Sequence, residues 1–157
     1  MASSFDYPQA QEIKRIFAVR GIQYLFIGKS GAILLGFPDT TQDADLFVKK
    51  DPVNCAALVH GLKDLGFSLD AQLEEDLFRG KDFVQIRTGP FDLDVVFAPD
   101  GIETFDEAAR RAVVVEGFPV CHLDDIIRSK EKADRVKDRE ALPRLKAFRE
   151  WWISRQK

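Results

Sequence analysis

The stretch that most constrains the chain runs from Tyr24 to Val48 and reads YLFIGKSGAILLGFPDTTQDADLFV. The apolar run Tyr24 to Ile27 has the length of a buried strand and stops at Gly28. A turn of small residues leads into a short apolar helix over 32–35, closed by Gly36 and Pro38. A second strand is predicted over 43–48. Side chains alternate along a strand, so Asp43 and Asp45 share one face and Ala44 takes the other. Two carboxylates on one face repel each other unless a proton or a cation lies between them. The run 91–97, FDLDVVF, repeats the pattern, with Asp92 and Asp94 on one face and Phe91, Leu93 and Val95 on the other. Magnesium binds a few carboxylates together with nucleotide phosphate oxygens, and two-metal phosphoryl transfer calls for a third acid. Taken alone, the Asp-x-Asp pair reads more simply as a solvated acidic strand face.

With its context, the stretch resembles the nucleotidyltransferase-fold superfamily, whose signature is a strand ending in Gly-Gly or Gly-Ser, a short helix, a paired acid and a later third acid. Within that superfamily it is most similar to the small bacterial group around the AbiEii-type nucleotidyltransferase toxins of toxin–antitoxin and phage-abortive systems. On that pattern Gly28 takes the first glycine, Gly36-Phe37-Pro38 the turn after the helix, and Thr41 the threonine before the acids. Asp43 and Asp45 take the paired metal ligands and Asp94 the third. Lys130, Arg135, Lys137 and Asp138 resemble the group's helical Lys…Arg-x-Lys-Asp element, and the likeness spans about residues 20–145.

The resemblance implies an α/β (α+β) fold: a small mixed sheet with helices packed on it and a C-terminal helical segment over 122–154, in one domain. It implies a nucleoside triphosphate substrate and one or two Mg²⁺ held by Asp43, Asp45 and Asp94, with Asp94 as the general base through its metal. Gly28, Lys29, Ser30 and Thr41 would line the nucleotide, Lys130 would contact phosphate, and Asp138 would orient or support it. Two residues depart from the pattern. Lys29 stands where the family has a second small residue, and Asp39 where many members have Arg. A lysine there offers phosphate a point charge, and Ser30 is placed to supply the missing hydroxyl.

Composition sets the remaining bounds. Apolar residues make up 45% and charged residues 31% of 157, the profile of a soluble globular chain long enough for a core. Cys55 and Cys121 lack metal-type spacing and read as buried thiols in a reducing, cytoplasmic setting. No run reaches membrane-spanning length, and the N-terminal residues lack the pattern of a secretory signal. The net charge of −3 is uneven: residues 128–157 carry eleven Lys/Arg against five Asp/Glu, and the rest of the chain is acidic. A basic segment facing a carboxylate site suits a triphosphate or an RNA backbone, and a solvated basic helix is the plain alternative.

Elsewhere the pattern predicts helices over 8–20 and about 52–65, a short strand over 67–71, and a hairpin of strands 83–88 and 91–97 turning at Gly89-Pro90. The run 73–79 fits helix or strand. Thr104 caps a helix over 105–111, two short strands flank Gly117, and a helix opens at His122. Pro143 is expected to break the C-terminal helical segment. Around and after it Leu142, Leu145, Phe148 and Trp152 form an apolar stripe, with Trp151 off the stripe and expected to pack on the body. His60 reads as an ordinary helix residue.

Three functions follow. The first is a toxin-like, Mg-dependent nucleotidyltransferase modifying RNA (a tRNA end by resemblance) or a protein hydroxyl, with a cognate antitoxin as a further partner. The second is a relative that has lost catalysis and binds nucleotide or protein, motivated by Lys29 and Asp39. The third is a small-molecule nucleotidyltransferase of the aminoglycoside type, against which the short length counts.

Overall fold

Local capping explains where most helices begin. Asp6 accepts from the Gln9 amide while the Gln9 side chain answers back, opening α1 (Tyr7–Arg20) with Pro8 in its first turn. Asp51 caps α3 (Pro52–Asp64), Asp70 caps α4 (Ala71–Arg79) and Thr104 caps α5 (Phe105–Arg111), each accepting from the amide three residues on. The computed structural model describes residues 5–156. The other elements are β1 (Tyr24–Phe26), α2 (Gly28–Leu34), β2 (Asp43–Val48), β3 (Phe83–Ile86), β4 (Asp92–Val96), β5 (Val113–Val115), β6 (Phe118–Val120), α6 (Leu123–Ala133) and α7 (Val136–Arg155).

The strands form one mixed sheet in the order β3-β4-β2-β1-β6-β5. β2 runs parallel to β4 and β1 parallel to β6, and the other neighbours are antiparallel. Registered partners share a face, so Val84, Ile86, Leu93, Val95, Ala44, Leu46, Val48, Tyr24 and Phe26 form one continuous apolar surface. All are buried. The ring of Phe17 from α1 meets Tyr24 at 4.8 Å, and Phe26 meets Phe118 at 5.8 Å. α3 comes close enough to this core that a side chain on Gly61 would stand 2.8 Å from Ile22 Cδ1. The opposite face carries Asp43, Asp45, Asp92 and Asp94, and α2 and α6 pack beside it, Gly31 lying between Phe26 and Ile126.

Tyr24 is the one buried side chain whose polar atom, its hydroxyl, has no hydrogen-bond partner among the described residues, and burial pushes its phenol up. An unpaired buried hydroxyl costs stability. Tyr24→Phe is therefore expected to stabilise the protein by about 1 kcal/mol in urea unfolding; destabilisation would mean that the hydroxyl has a partner after all.

Several sequence expectations change. No strand forms over 67–71: Asp70 caps α4, and the Phe67 amide closes the end of α3 on the Leu62 carbonyl. The ambiguous run 73–79 is helical. α2 starts at Gly28 rather than at Ala32, so the glycine turn is the helix's first turn. The C-terminal break falls at Asp134, which takes the left-handed conformation (φ 51°), while α7 continues through Pro143. Proline removes one helical hydrogen bond there, and burial of Leu145, Phe148 and Trp152 on the body holds the helix together across it. Trp151 is half exposed, stacked on Phe148 and with the Arg155 guanidinium 5.0 Å from its ring centroid. Cys55 and Cys121 are buried free thiols. Among the described residues no helix is long and apolar enough to cross a membrane.

Candidate active site

Parallel pairing of β2 with β4 sets Asp43 beside Asp92 and Asp45 beside Asp94. Asp45 and Asp94 come close enough to share a proton. Burial raises the Asp45 carboxyl and the neighbouring Asp94 charge raises it further, while Lys130 pulls the other way. Burial also raises Asp94, against the opposing pull of Arg87. The two carboxyls thus disfavour being ionised together, even with Lys130 and Arg87 beside them.

The pair opens into a cavity of about 630 Å³. Gly28, Thr41, Asp43, Asp45 and Asp94 line it together with Lys130 of α6, Arg135 of the turn between α6 and α7, and Lys137 of α7. Gly28 has φ 64°, and a Cβ there would stand 2.6 Å from Asp45 Oδ2. Both the backbone and the space require glycine. Gly28→Ala is expected to cost at least about 1 kcal/mol of stability and to displace the Asp45 carboxylate, with loss of activity. Chemical denaturation and an activity assay together check both halves, and a variant as stable and active as the parent would refute this account of Gly28.

The other nucleotide-lining candidates have other partners. Ser30 is buried; its hydroxyl donates to the Ile27 carbonyl at 3.0 Å and accepts from the Asp45 amide at 2.9 Å. It pins α2 to β2 and presents no hydroxyl to the cavity. Thr41 Oγ1 is engaged with the Asp43 backbone at 3.3 and 3.4 Å and holds the entry to β2. Lys29 reaches the cavity wall, but its Nζ lies 3.0 Å from Asp39 Oδ2. Arg144 Nη1 approaches the same oxygen at 3.2 Å and its Nη2 donates to the Pro38 carbonyl. The hydrogen bond from Lys29 holds the Asp39 carboxyl below its usual range. The two departures from the family pattern therefore satisfy each other and tie the first turn of α2 to α7.

Asp138 is fully buried, so it touches a cavity ligand only through its partners. Arg135 Nε donates to it at 2.7 Å, and Lys130 Nζ stands 3.6 Å away. Burial alone would raise the Asp138 carboxyl, but the Arg135 hydrogen bonds outweigh it and the net shift is downward. Burial lowers Lys130, against the pull of Asp138 and Asp45. Lys130 therefore links the helical element to the acid pair, and it is held in place by Asp138.

Sequence reasoning missed Arg87. Just past β3, it continues the two-residue alternation of Phe83 and Gln85, which share the acidic face. Its Nη1 donates to Asp94 Oδ1 at 3.0 Å. The hairpin at Gly89-Pro90 carried the signal, since it folds Arg87 back over the acids of β4. Arg144 left no comparable signal, because its contact with Asp39 depends on how α7 docks.

Among the described residues no three ligating side chains are gathered into a ready-made metal cage. Asp43, Asp45 and Asp94 all line the cavity, and the charge of Asp43 acts on both of the others. Asp45 and Asp94 are registered partners, and Asp43 stands two residues before Asp45 on β2, its Oδ2 3.9 Å from Arg87 Nη2. The pair fits a hard divalent ion, because it supplies only carboxylate oxygens and two adjacent acids favour a cation or a proton between them.

No protein-family model matches the chain, and a search of curated proteins returns no match. Among solved structures, the lincosamide antibiotic adenylyltransferase LnuA, solved with lincomycin bound, matches with a TM-score of 0.64 at 12% identity, over 92% of this chain and 98% of that one. The chain has a nucleotidyltransferase fold. The likeness extends over nearly the whole of both chains.

Proposed function

We propose that the protein is a Mg-dependent nucleotidyltransferase that moves a nucleoside monophosphate from a triphosphate to an acceptor hydroxyl. One observation carries this reading. One cavity holds half-buried Asp45 and buried Asp94 together with Lys130, with Gly28 giving up its side chain so that Asp45 can stand there. In the reaction the acceptor hydroxyl gives its proton to the acid cluster, Asp94 first, its oxygen forms a bond to the α-phosphorus, the bond to the β-phosphate oxygen breaks, and pyrophosphate leaves. Asp45 and Asp94, with Asp43 at their edge, would hold Mg²⁺, which when bound lowers the pKa of the hydroxyl and neutralises the phosphates. Lys130, kept in place by Asp138, would orient the triphosphate, and Arg135 and Lys137 would add charge around the same cavity. Lys29, held by Asp39, would reach the outer phosphates from the first turn of α2.

Two acceptor classes follow from different observations. The resemblance to toxin-like enzymes favours RNA, a tRNA end first, or a protein, with an antitoxin as a further partner and a cytoplasmic setting. The fold neighbour, an adenylyltransferase of a lincosamide antibiotic, favours a small hydroxyl-bearing molecule. The mutual pairing of Lys29 with Asp39 accounts for both departures without loss of the site and weighs against the lapsed-enzyme reading. The test offers each α-labelled triphosphate with total tRNA, with protein, and with lincosamides and aminoglycosides. Label on one class, dependent on Mg²⁺, names the acceptor. Nucleotide binding with no label on any class would favour the lapsed reading.

A further inference from the structure

The Arg87 guanidinium faces three carboxylates from two strands. Its Nη1 lies 3.0 Å from Asp94 Oδ1 and 3.3 Å from the Leu93 carbonyl. Its Nε lies 3.8 Å from Asp92 Oδ2, and its Nη2 3.9 Å from Asp43 Oδ2. The side chain reaches in from the end of edge strand β3 and is 39% exposed, so its head can leave without disturbing the core. The apolar face of the sheet lies on the other side, and nothing on that face needs this charge. On the Asp45 side, Lys130 provides the cation. Arg87 does so for the outer acids.

We propose that Arg87 is a resident cation that competes with a divalent ion for Asp94 and Asp43, so that the site fills with a metal–nucleotide complex rather than with free metal. The inference rests on the metal-dependent reading above. A guanidinium hydrogen-bonded to Asp94 Oδ1 occupies lone pairs that a hard cation would use, and its charge repels a divalent ion a few ångströms away. A triphosphate brings its own negative charge and offsets that repulsion, and it offers Arg87 alternative oxygens to bind. Arg87 is thus a positioning residue: it keeps the acid cluster ordered while empty and makes loading depend on substrate.

The test titrates Mn²⁺ alone, without nucleotide, into the full chain by calorimetry. Arg87→Gln is expected to bind Mn²⁺ at least about tenfold more tightly than the parent. Arg87→Lys, which keeps the charge, should stay within about threefold of the parent. Arg87→Met, which keeps the aliphatic stem, serves as the neutral variant if Arg87→Gln misfolds by circular dichroism. An affinity in the neutral variant equal to or weaker than the parent's, including no binding in either, would overturn the proposal. Asp45→Asn separates the two levels of the argument. If it binds Mn²⁺ as the parent does, the ion sits elsewhere and the metal-centre reading fails along with the proposal. If Asp45→Asn loses binding while Arg87→Gln is unchanged, only the role of Arg87 falls.

Discussion

Replacing Asp45 by Asn is expected to reduce nucleotidyl transfer by about a thousandfold or more while leaving the protein folded. The half-buried carboxylate lies beside buried Asp94 and feels the charge of Lys130, which lines the same cavity. Asparagine keeps the shape but not the charge, so the site would lose its means of holding a cation between the acids. Stability should not fall. Burial and Asp94 raise the Asp45 carboxyl, so its contribution is complete below the ordinary carboxylate pKa and is lost as pH rises through the raised value. At neutral pH without metal the pair therefore weakens the fold, and Asp45→Asn should unfold at the same temperature as the parent or higher. Transfer assays with matched thermal melts check both parts. Undiminished transfer would remove Asp45 from the chemistry.

The second large effect is expected at Asp138. Its carboxylate is fully buried between Arg135 and Lys130. Removing one partner of a buried ion cluster strands the others, and Asp138→Ala should cost about 3 kcal/mol. Lys130 would also lose its anchor, so transfer should fall even where the variant is fully folded. The pH dependence has the opposite sign to that of Asp45. Despite burial, Arg135 holds the Asp138 carboxyl below its usual range, so its stabilisation is present above the ordinary carboxylate pKa and is lost as pH falls through the lowered value. Urea unfolding at neutral and at strongly acidic pH should show a wide gap between parent and variant that narrows in acid. A gap that did not change with pH would mean that Asp138 contributes by packing rather than by charge.

Much of the site could be read from alternation alone. The two-residue period of strands assigned Asp43, Asp45, Asp92 and Asp94 to one face before any pairing was known, and the pairing of β2 with β4 agrees with it. The register that puts Asp45 against Asp94, while leaving Asp43 toward Arg87, was not legible, because a parallel pairing is fixed by elements distant in the chain. Lys29 and Asp39 read as separate anomalies because they flank a helix and a turn; folding brings their charges to 3.0 Å. The C-terminal break was misplaced for a local reason. Proline is the stronger breaker by propensity, but the buried stripe of α7 overrides it, and the left-handed Asp134 makes the turn instead. At Phe67 the apolar run suggested a strand, and the capping carboxylate of Asp70 starts a helix.

The account rests on the cavity lined by the acidic sheet face, α6 and α7 being a site for a metal-bound triphosphate. The most direct measurement is amide chemical-shift mapping of the ¹⁵N-labelled protein with Mg²⁺ and a triphosphate analogue that cannot be cleaved between the α- and β-phosphates. The account predicts shifts concentrated at Gly28, Thr41, Asp45, Asp94, Lys130 and Lys137, all lining that cavity, and their loss in Asp45→Asn. Shifts confined to the groove between α1 and Pro90, around Glu12 and Asp64, or no shifts at any site, would contradict it.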